Sequence, residues 1–213
     1  MAKAKICGLS TPGAVAAAVA GGAGWVGFVT FPKSPRHIAP EAAAALAGPA
    51  RAARVEVVSV LVDPDDALLD AVAHRLRPDW VQLHGAESPA RAAAIRMRTG
   101  ARVIKALPVS EAGDLAAAAA YAGAADALMF DAKPPPDADR PGGVGARFDW
   151  AILKDAPAAR GAFLAGGLDP WNVGEALAAS GVERVDVSSG VERGAGVKDP
   201  ALITAFLQAV RRA

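Results

Sequence analysis

Hydrophobic and polar positions define two kinds of segment that alternate along the whole chain. Short apolar runs rich in β-branched residues, such as 55–62, are followed by longer amphipathic or alanine-rich runs, such as 68–76. The short runs have the length and composition of buried strands, and the longer runs have those of helices. The pattern repeats eight times at a spacing of about 25 residues. It therefore predicts eight successive strand–helix units.

The order of these units predicts an α/β protein. The predicted strands are 4–7, 25–31, 55–62, 80–83, 103–107, 127–130, 163–165 and 185–187. The predicted helices are 14–20, 40–46, 68–76, 89–97, 115–121, a short one near 150–153, 173–177 and 203–210. A doubly wound open sheet is the competing architecture. Eight regular units, without a Gly-x-Gly-x-x-Gly motif after the first strand, favour a single (β/α)8 TIM barrel over residues 1–213.

Polar residues and glycines gather where the predicted strands end. In a barrel of parallel strands all these ends open on one face, and that face carries the chemistry. The residues in question are Cys7, 31–36, Asp63, 82–85, Lys105, Asp131, Gly166 with Gly167, and Ser188 with Ser189 and Gly190. The strand interiors are apolar, so these positions form the candidate site.

The last two units carry the clearest binding signal. Gly166 and Gly167 follow the seventh strand, and Ser188, Ser189 and Gly190 follow the eighth. Glycines let backbone N–H groups approach an anion, serine hydroxyls add donors, and barrels commonly bind phosphate at this position. The alternative is that both segments are only tight turns. The Pro/Gly-rich insertion 132–147 is expected to be a mobile flap over the mouth, or else a disordered surface loop.

Composition and charge exclude several classes of protein. Hydrophobic residues make up 53% of the chain and the net charge is +1, which argues against disorder and against a nucleic-acid or lipid partner. Residues 11–32 carry no charge and are long enough to span a bilayer. The segment is dominated by Ala and Gly and breaks at Gly21 and Gly22, so neither a membrane span nor a signal peptide is expected. The single cysteine excludes an internal disulfide and fits the cytoplasm.

The cysteine itself has two interpretations. Cys7 lies at the tip of the first strand, immediately before Gly8 and a helix-start signal. There it could be a reactive thiol at the mouth, but a free cysteine is more often a small buried hydrophobe. The three histidines are scattered and no cysteines cluster, so no metal site is expected.

Seven short segments, in order and at the predicted strand ends, match a known family. They are Lys-Ile-Cys-Gly at 5–8, 27–29 with 32–36, Val-Gln-Leu-His-Gly at 81–85, 130–133, 142–145 with 148–150, Leu-Ala-Gly-Gly-Leu at 164–168, and 185–192 with 196–199. With these segments the chain resembles phosphoribosylanthranilate isomerase of tryptophan biosynthesis over nearly its whole length. It departs from the family's usual residues at Thr30, Gly24 with Trp25, Val144 and Trp171.

The resemblance implies an Amadori rearrangement of a ribosylamine phosphate to a 1-amino-1-deoxyketose. By resemblance Cys7 is the general base and Asp131 the general acid. The first and sixth strands lie three steps apart in a ring of eight, so the two side chains would face each other across the mouth. Taken without the family, Asp131 would be read as a cap or as an exposed partner of Lys133. The reaction shifts hydrogen between neighbouring carbons, so no cofactor is expected.

Other residues of the mouth are candidates for substrate contacts. Arg36 is the candidate for the anthranilate carboxylate, because its planar fork matches a carboxylate bidentately. Gln82 and His84 are candidate substrate-binding residues that could instead hold the loop, with His84 a supporting residue rather than a catalyst. Asp186 is expected to be a structural hydrogen-bond partner. The expected partner is a small phosphosugar, and the chain is expected to be a monomer or homodimer.

Two other functions fit parts of this pattern. Another phosphate-binding barrel enzyme, of the thiamine-phosphate synthase type, would need a carboxylate cluster for magnesium diphosphate, and none is evident. A barrel that binds a sugar phosphate without turnover is the second. The presence of both Cys7 and Asp131 argues against it.

Overall fold

Eight parallel strands close into one barrel, which confirms the predicted TIM-barrel architecture. The computed structural model describes residues 1–133 and 145–213. The strands are β1 (Lys3–Cys7), β2 (Trp25–Val29), β3 (Glu56–Leu61), β4 (Trp80–Leu83), β5 (Arg102–Val109), β6 (Ala127–Ala132), β7 (Phe163–Leu164) and β8 (Arg184–Val187). Each strand pairs in parallel with the next, and β1 pairs with β8 to complete the ring.

Helices connect the strands and cover the barrel. They are α1 (Pro12–Ala20), α2 (Pro40–Ala52), α3 (Asp66–Ala71), continued by a π-helical turn at Val72–Leu76, α4 (Pro89–Thr99), α5 (Val173–Ser180) and α6 (Pro200–Arg212). Four of them begin with proline directly after the cap, where its missing N–H and fixed φ cost nothing. The side chains of Thr11, Ser88 and Asp199 cap the first turns of α1, α4 and α6.

Two connections depart from the predicted α-helices. The segment after β5 is a 3-10 helix, Ala112–Tyr121, whose first turn is tightened because the Asp114 carboxylate accepts hydrogen bonds from the N–H groups of Ser110 and Glu111. After β6 there are two short 3-10 helices, Trp150–Leu153 and Pro157–Ala159. The predicted flap 132–147 falls mainly on residues 134–144, which lie outside the described residues.

The barrel interior is a packed core below an open mouth. Inward-facing side chains of alternate strand positions, including Val58, Val60, Ile104, Ala106 and Met129, form one buried cluster inside the ring. A second, larger cluster lies between the strands and the surrounding helices. The inward positions above the inner cluster belong to the last residues of the strands, so their side chains point into the mouth.

Beyond β8 the chain forms a small antiparallel hairpin of β9 (Glu192–Gly194) and β10 (Val197–Lys198). It follows a three-residue 3-10 turn, Ser189–Val191, and precedes α6. Sequence periodicity does not predict this hairpin because its strands are too short to alternate. It returns Lys198 to the mouth.

Candidate active site

One pocket occupies the mouth of the barrel and brings together nearly all the predicted site residues. It encloses about 780 Å³ of empty space, its open side included. Cys7, Arg36, Gln82, His84, Asp131, Gly166, Gly167, Ser188 and Ser189 line it, together with Asp186. Gly190 is not among the lining residues, and neither are Asp63 and Lys105, the predicted residues that follow the third and fifth strands. Residues of β1, β4, β6 and β8, and of the loops after β2, β4, β7 and β8, therefore converge on one space.

On one side of the pocket, three polar side chains form a hydrogen-bonded chain. The amide nitrogen of Gln82 lies 2.9 Å from Nδ1 of His84, and Nε2 of His84 lies 3.1 Å from Oδ2 of Asp131. Gln82 is fully buried and Asp131 nearly so. Asp131 does not follow β6, as predicted, but belongs to it, because β5 continues to Val109 and extends the pairing. A paired strand holds its backbone more firmly than a loop would.

On the facing side, the thiol of Cys7 lies among buried charges. Lys5, two residues earlier on the same face of β1, is fully buried and its ammonium donates to Oδ1 of Asp186 at 2.8 Å. Burial raises the pKa of Cys7, and the Asp186 carboxylate acts in the same direction, whereas the ammonium groups of Lys5 and Lys198 act against it. The result is a pKa above the ordinary value for a thiol.

The loop after β2 holds Arg36 over the tip of β1. Gly8 has a left-handed φ of +76°, and a Cβ at that position would lie 2.6 Å from Cδ of Arg36. Glycine thus lets the arginine stem lie against the strand tip. The loop is closed by Thr30, whose hydroxyl donates to the carbonyl of Ile38 at 3.0 Å. This gives Thr30, one of the departures from the family's usual residues, a structural role.

Arg36 forms a buried, bidentate ion pair with Glu192 of the hairpin. Its Nε and Nη2 donate to the two carboxylate oxygens at 2.7 and 2.8 Å. Lys198 donates to the same carboxylate at 2.6 Å and to the carbonyl of Ser188 at 2.7 Å. Burial alone would raise the pKa of Glu192, but its hydrogen bonds and the charges of Arg36 and Lys198 hold that pKa below the ordinary value. Two cations and one carboxylate thus fix this wall of the pocket.

The glycines of the predicted phosphate site are required by chain packing. A Cβ at Gly166 would lie 2.6 Å from the backbone nitrogen of Ala132, and one at Gly190 would lie 1.9 Å from the carbonyl oxygen of Leu168. Ser188 uses its hydroxyl within the protein, donating to the carbonyl of Cys7 at 3.3 Å and accepting from Lys198 at 3.2 Å. Gly166, Gly167 and Ser189 remain as lining residues on this side.

Comparison with known proteins identifies the family. A sequence profile described as "N-(5'phosphoribosyl)anthranilate (PRA) isomerase" matches residues 4–209. The chain belongs to this isomerase family. Proteins named N-(5'-phosphoribosyl)anthranilate isomerase from Caulobacter vibrioides and Caulobacter sp. strain K31 are 58% and 59% identical to it. The alignments cover 99% of this chain and 96% of the first relative, and 100% of both chains for the second.

Solved structures of the PRA isomerase family have the same fold. Phosphoribosyl anthranilate isomerase from Thermotoga maritima aligns with a TM-score of 0.86 and 35% identity over 100% of both chains. A second structure, 32% identical with a TM-score of 0.83 and complete coverage of both chains, is a complex with reduced 1-(o-carboxyphenylamino)-1-deoxyribulose 5-phosphate. The chain is therefore an isomerase of the TIM-barrel class.

Three residues that bind lining residues of the pocket received no role in the sequence analysis, although all lie in the matched segments. Lys5 is charged at an inward strand position where an apolar residue is expected. This charge could have identified Lys5 as a functional residue from the sequence. Glu192 and Lys198 lie in a hairpin that periodicity does not reveal. Within 1–133 and 145–213, no helix is long and apolar enough to cross a membrane, and no group of three or more His, Cys, Asp or Glu residues could hold a metal ion.

Proposed function

We propose that the chain converts N-(5-phosphoribosyl)anthranilate to 1-(2-carboxyphenylamino)-1-deoxyribulose 5-phosphate, with Cys7 as general base and Asp131 as general acid. The observation that carries the proposal is that a buried thiol on β1 and a buried carboxyl on β6 line one pocket in a chain of this family. This rearrangement needs one group to protonate the ring oxygen and another to remove the C2 proton.

The chemistry begins with two proton transfers, to the ring oxygen and from C2, and ends with the conversion of an enolamine to a ketone. Asp131 gives its proton to the ring oxygen as the C1–O bond breaks, and the nitrogen lone pair forms a C1=N iminium. The thiolate of Cys7 then removes the C2 proton, so that the C2–H electrons form C1=C2 and the π electrons of C=N return to nitrogen. The enolamine gains a proton at C1 and loses its hydroxyl proton at C2. Substrate and product are isomers, and no external electron acceptor is consumed.

The raised pKa of Cys7 adds a condition to this mechanism. In the free protein the thiol form dominates at neutral pH, so only a minor fraction of molecules holds the thiolate that the second step requires. The ammonium groups of Lys5 and Lys198 favour that thiolate electrostatically. We propose that these two lysines stabilise the thiolate during turnover.

We assign the two ends of the substrate to different groups of residues in the mouth. Gly166, Gly167 and Ser189 are proposed for the phosphate, with Ser188 and Gly190 shaping the turn. Arg36 is proposed for the anthranilate carboxylate. Because Glu192 accepts from Nε and Nη2, that contact must use the other edge of the guanidinium. The structure of a relative with a reduced phosphate-bearing product supports a ligand of this chemistry. We further propose that residues 1–213 act as a single cytoplasmic catalytic domain, monomeric or homodimeric, without metal or cofactor.

Direct conversion tests the proposal. Purified protein is incubated with N-(5-phosphoribosyl)anthranilate, and the reaction is followed by proton NMR. We expect the anomeric C1 signal to be replaced by a C1 methylene signal, and we expect the gene to restore growth of a tryptophan auxotroph that lacks this step. Tight binding of the product analogue without conversion would instead identify a sugar-phosphate-binding protein and contradict the proposal.

A further inference from the structure

The hydrogen-bonded chain behind Asp131 has a defined direction. Gln82 is buried inside the barrel, and its amide nitrogen lies 2.9 Å from Nδ1 of His84 and 3.3 Å from Sδ of Met129. An amide nitrogen only donates, and both a bare imidazole nitrogen and a thioether sulfur accept. The reversed amide would place its oxygen against the sulfur, which has no proton to offer. The contacts therefore favour the orientation in which the amide N–H₂ faces both acceptors.

This orientation fixes the tautomer of His84. If Nδ1 accepts from Gln82, the proton of the neutral ring is on Nε2. Nε2 lies 3.1 Å from Oδ2 of Asp131, so the ring donates to that oxygen. In a protonated carboxyl group the oxygen without the proton is the stronger acceptor, so the N–H bond from His84 favours Oδ2 as that oxygen. The proton of Asp131 then belongs on Oδ1.

The connection runs across one intervening strand. Gln82 and His84 come from the β4 side and Asp131 from β6, while β5 lies between them. The inward residue of β5 beside Met129 is Ala106, whose small side chain lets the longer ones meet above it. Both ends of the chain are therefore attached to paired strands.

We infer that Gln82 and His84 are positioning residues that bind Oδ2 of Asp131 and thereby make Oδ1 the oxygen that delivers the proton to the substrate. This rests on the proposed role of Asp131 as general acid. It changes the expected role of the two residues from substrate contact to alignment of the acid.

The tautomer is measurable without any variant. Long-range ¹H–¹⁵N correlation spectra at about pH 8, above the ordinary histidine pKa, distinguish Nε2–H from Nδ1–H rings. We expect His84 to be the Nε2–H tautomer. His74 is an internal control, because its exposed ring places Nδ1 2.7 Å from the carbonyl of Asp70 and must donate from Nδ1. His84 in the Nδ1–H form would overturn the inference.

Matched variants test the effect on turnover. His84→Gln retains a donor near the position of Nε2, whereas His84→Asn retains only the position of Nδ1. We expect His84→Asn to lower kcat about 10- to 100-fold, the scale of a lost hydrogen bond to a charged group, with KM changed less than about 3-fold. His84→Gln should keep most of kcat, and Gln82→Met should abolish the single tautomer of His84 and lower kcat.

Equal kcat values for folded His84→Asn and His84→Gln would overturn the alignment role. A merely structural role would lower the Tm of both variants without separating their kcat values. Failure of the acid assignment would give a different result. Asp131→Asn would then keep its turnover, whereas the wild-type protein would still show the Nε2–H tautomer of His84.

Discussion

The two ends of the barrel use similar residue types for opposite purposes. At the end where the strands begin, Trp25 and Trp80 donate from their indole nitrogens to one oxygen of Glu56, at 2.7 and 2.9 Å. Arg102 pairs with the other oxygen and lies 4.0 Å above the Trp80 ring. Trp25 also meets the ring of Phe163 edge-on, at 4.8 Å between centroids. Aromatic rings close this end, and its polar groups satisfy one another.

At the end where the strands finish, charged groups pair in the walls and leave a pocket between them. Arg36 lines the pocket and is paired with Glu192, which Lys198 also contacts; Gln82, His84 and Asp131 line it elsewhere. From this difference we expect the first residues of the strands to contribute mainly to stability and the last residues mainly to chemistry, as is general for this fold. The same difference also explains Trp25, a departure from the family's usual residue, as part of the closed end.

The largest effect should follow from removing the acid or the base at the open end. Cys7→Ser and Asp131→Asn are near-isosteric, so both should fold with Tm close to that of the wild type. We expect kcat to fall about 10²–10⁴-fold in each, since serine is not ionised near neutral pH and an amide delivers no proton. Steady-state kinetics and thermal unfolding measure the two quantities. Near-normal kcat in folded Cys7→Ser would leave the base unassigned.

The raised pKa of Cys7 gives a second measurement on the same thiol. Because the neutral thiol is favoured, alkylation by iodoacetamide should be slow at neutral pH and should keep rising beyond the ordinary thiol pKa of about 8.5. Bound product should protect the wild type. An alkylation rate that levels off near neutral pH would contradict the raised pKa.

The closed end should show the reverse pattern. Trp80→Ala removes a buried ring, a hydrogen bond to Glu56 and the face on which Arg102 lies. We expect the free energy of unfolding to fall by about 3–5 kcal/mol, with kcat of the folded protein unchanged at low temperature. Trp171→Ala is the matched control, because that ring is 80% exposed and should cost less than about 0.5 kcal/mol. Lost kcat at unchanged stability would break the comparison.

The barrel could be predicted from the sequence because the hydrophobic periodicities of strands and helices are local properties of the chain. Strand limits were less predictable, since they depend on how far a neighbour continues: β6 includes Asp131 only because β5 reaches Val109. The segments that resemble the family contain most of the residues that line the pocket. They do not show which other residues each of these side chains contacts.

Sequence reasoning did not predict which charged side chains pair over long sequence separations. Arg36 and Glu192 are separated by 156 positions, and only the closed ring brings them together. Lys5 has a charge in the middle of an apolar strand, and its partner Asp186 is 181 positions away. The glycines at 166–167 and 190 could be recognised in the sequence. The structure shows that close chain packing already requires glycine at these positions. These glycines alone therefore do not identify a phosphate site.

Arg36→Met should have an intermediate effect at the open end. Methionine keeps an apolar stem beside Gly8 but removes the fork, so substrate binding should weaken more than chemistry slows. We expect a loss of about 1.5–3 kcal/mol in kcat/KM, the scale of one charge-assisted contact. Arg36→Lys is the control that keeps the charge without the bidentate geometry, and it should also lose activity. Wild-type kinetics in Arg36→Met would place the substrate carboxylate elsewhere.

The smallest expected effect is on the pH dependence of stability, and it is tested with one glutamate from each end of the barrel. The pKa of Glu56 is held below its ordinary value, because hydrogen bonds from Trp80, Arg102 and Trp25 outweigh the opposing effect of burial, and Glu192 is shifted in the same direction. A carboxyl whose folded pKa is depressed stabilises the fold above its ordinary pKa of about 4.3 and loses that contribution as pH falls through the folded value.

Glu56→Gln and Glu192→Gln should therefore both flatten the decline of stability below that pH, as measured by denaturant unfolding. Only Glu192→Gln should also weaken kcat/KM, because its carboxylate fixes Arg36 at the mouth. Equal activity losses in the two variants would show that the two ends of the barrel are not separable.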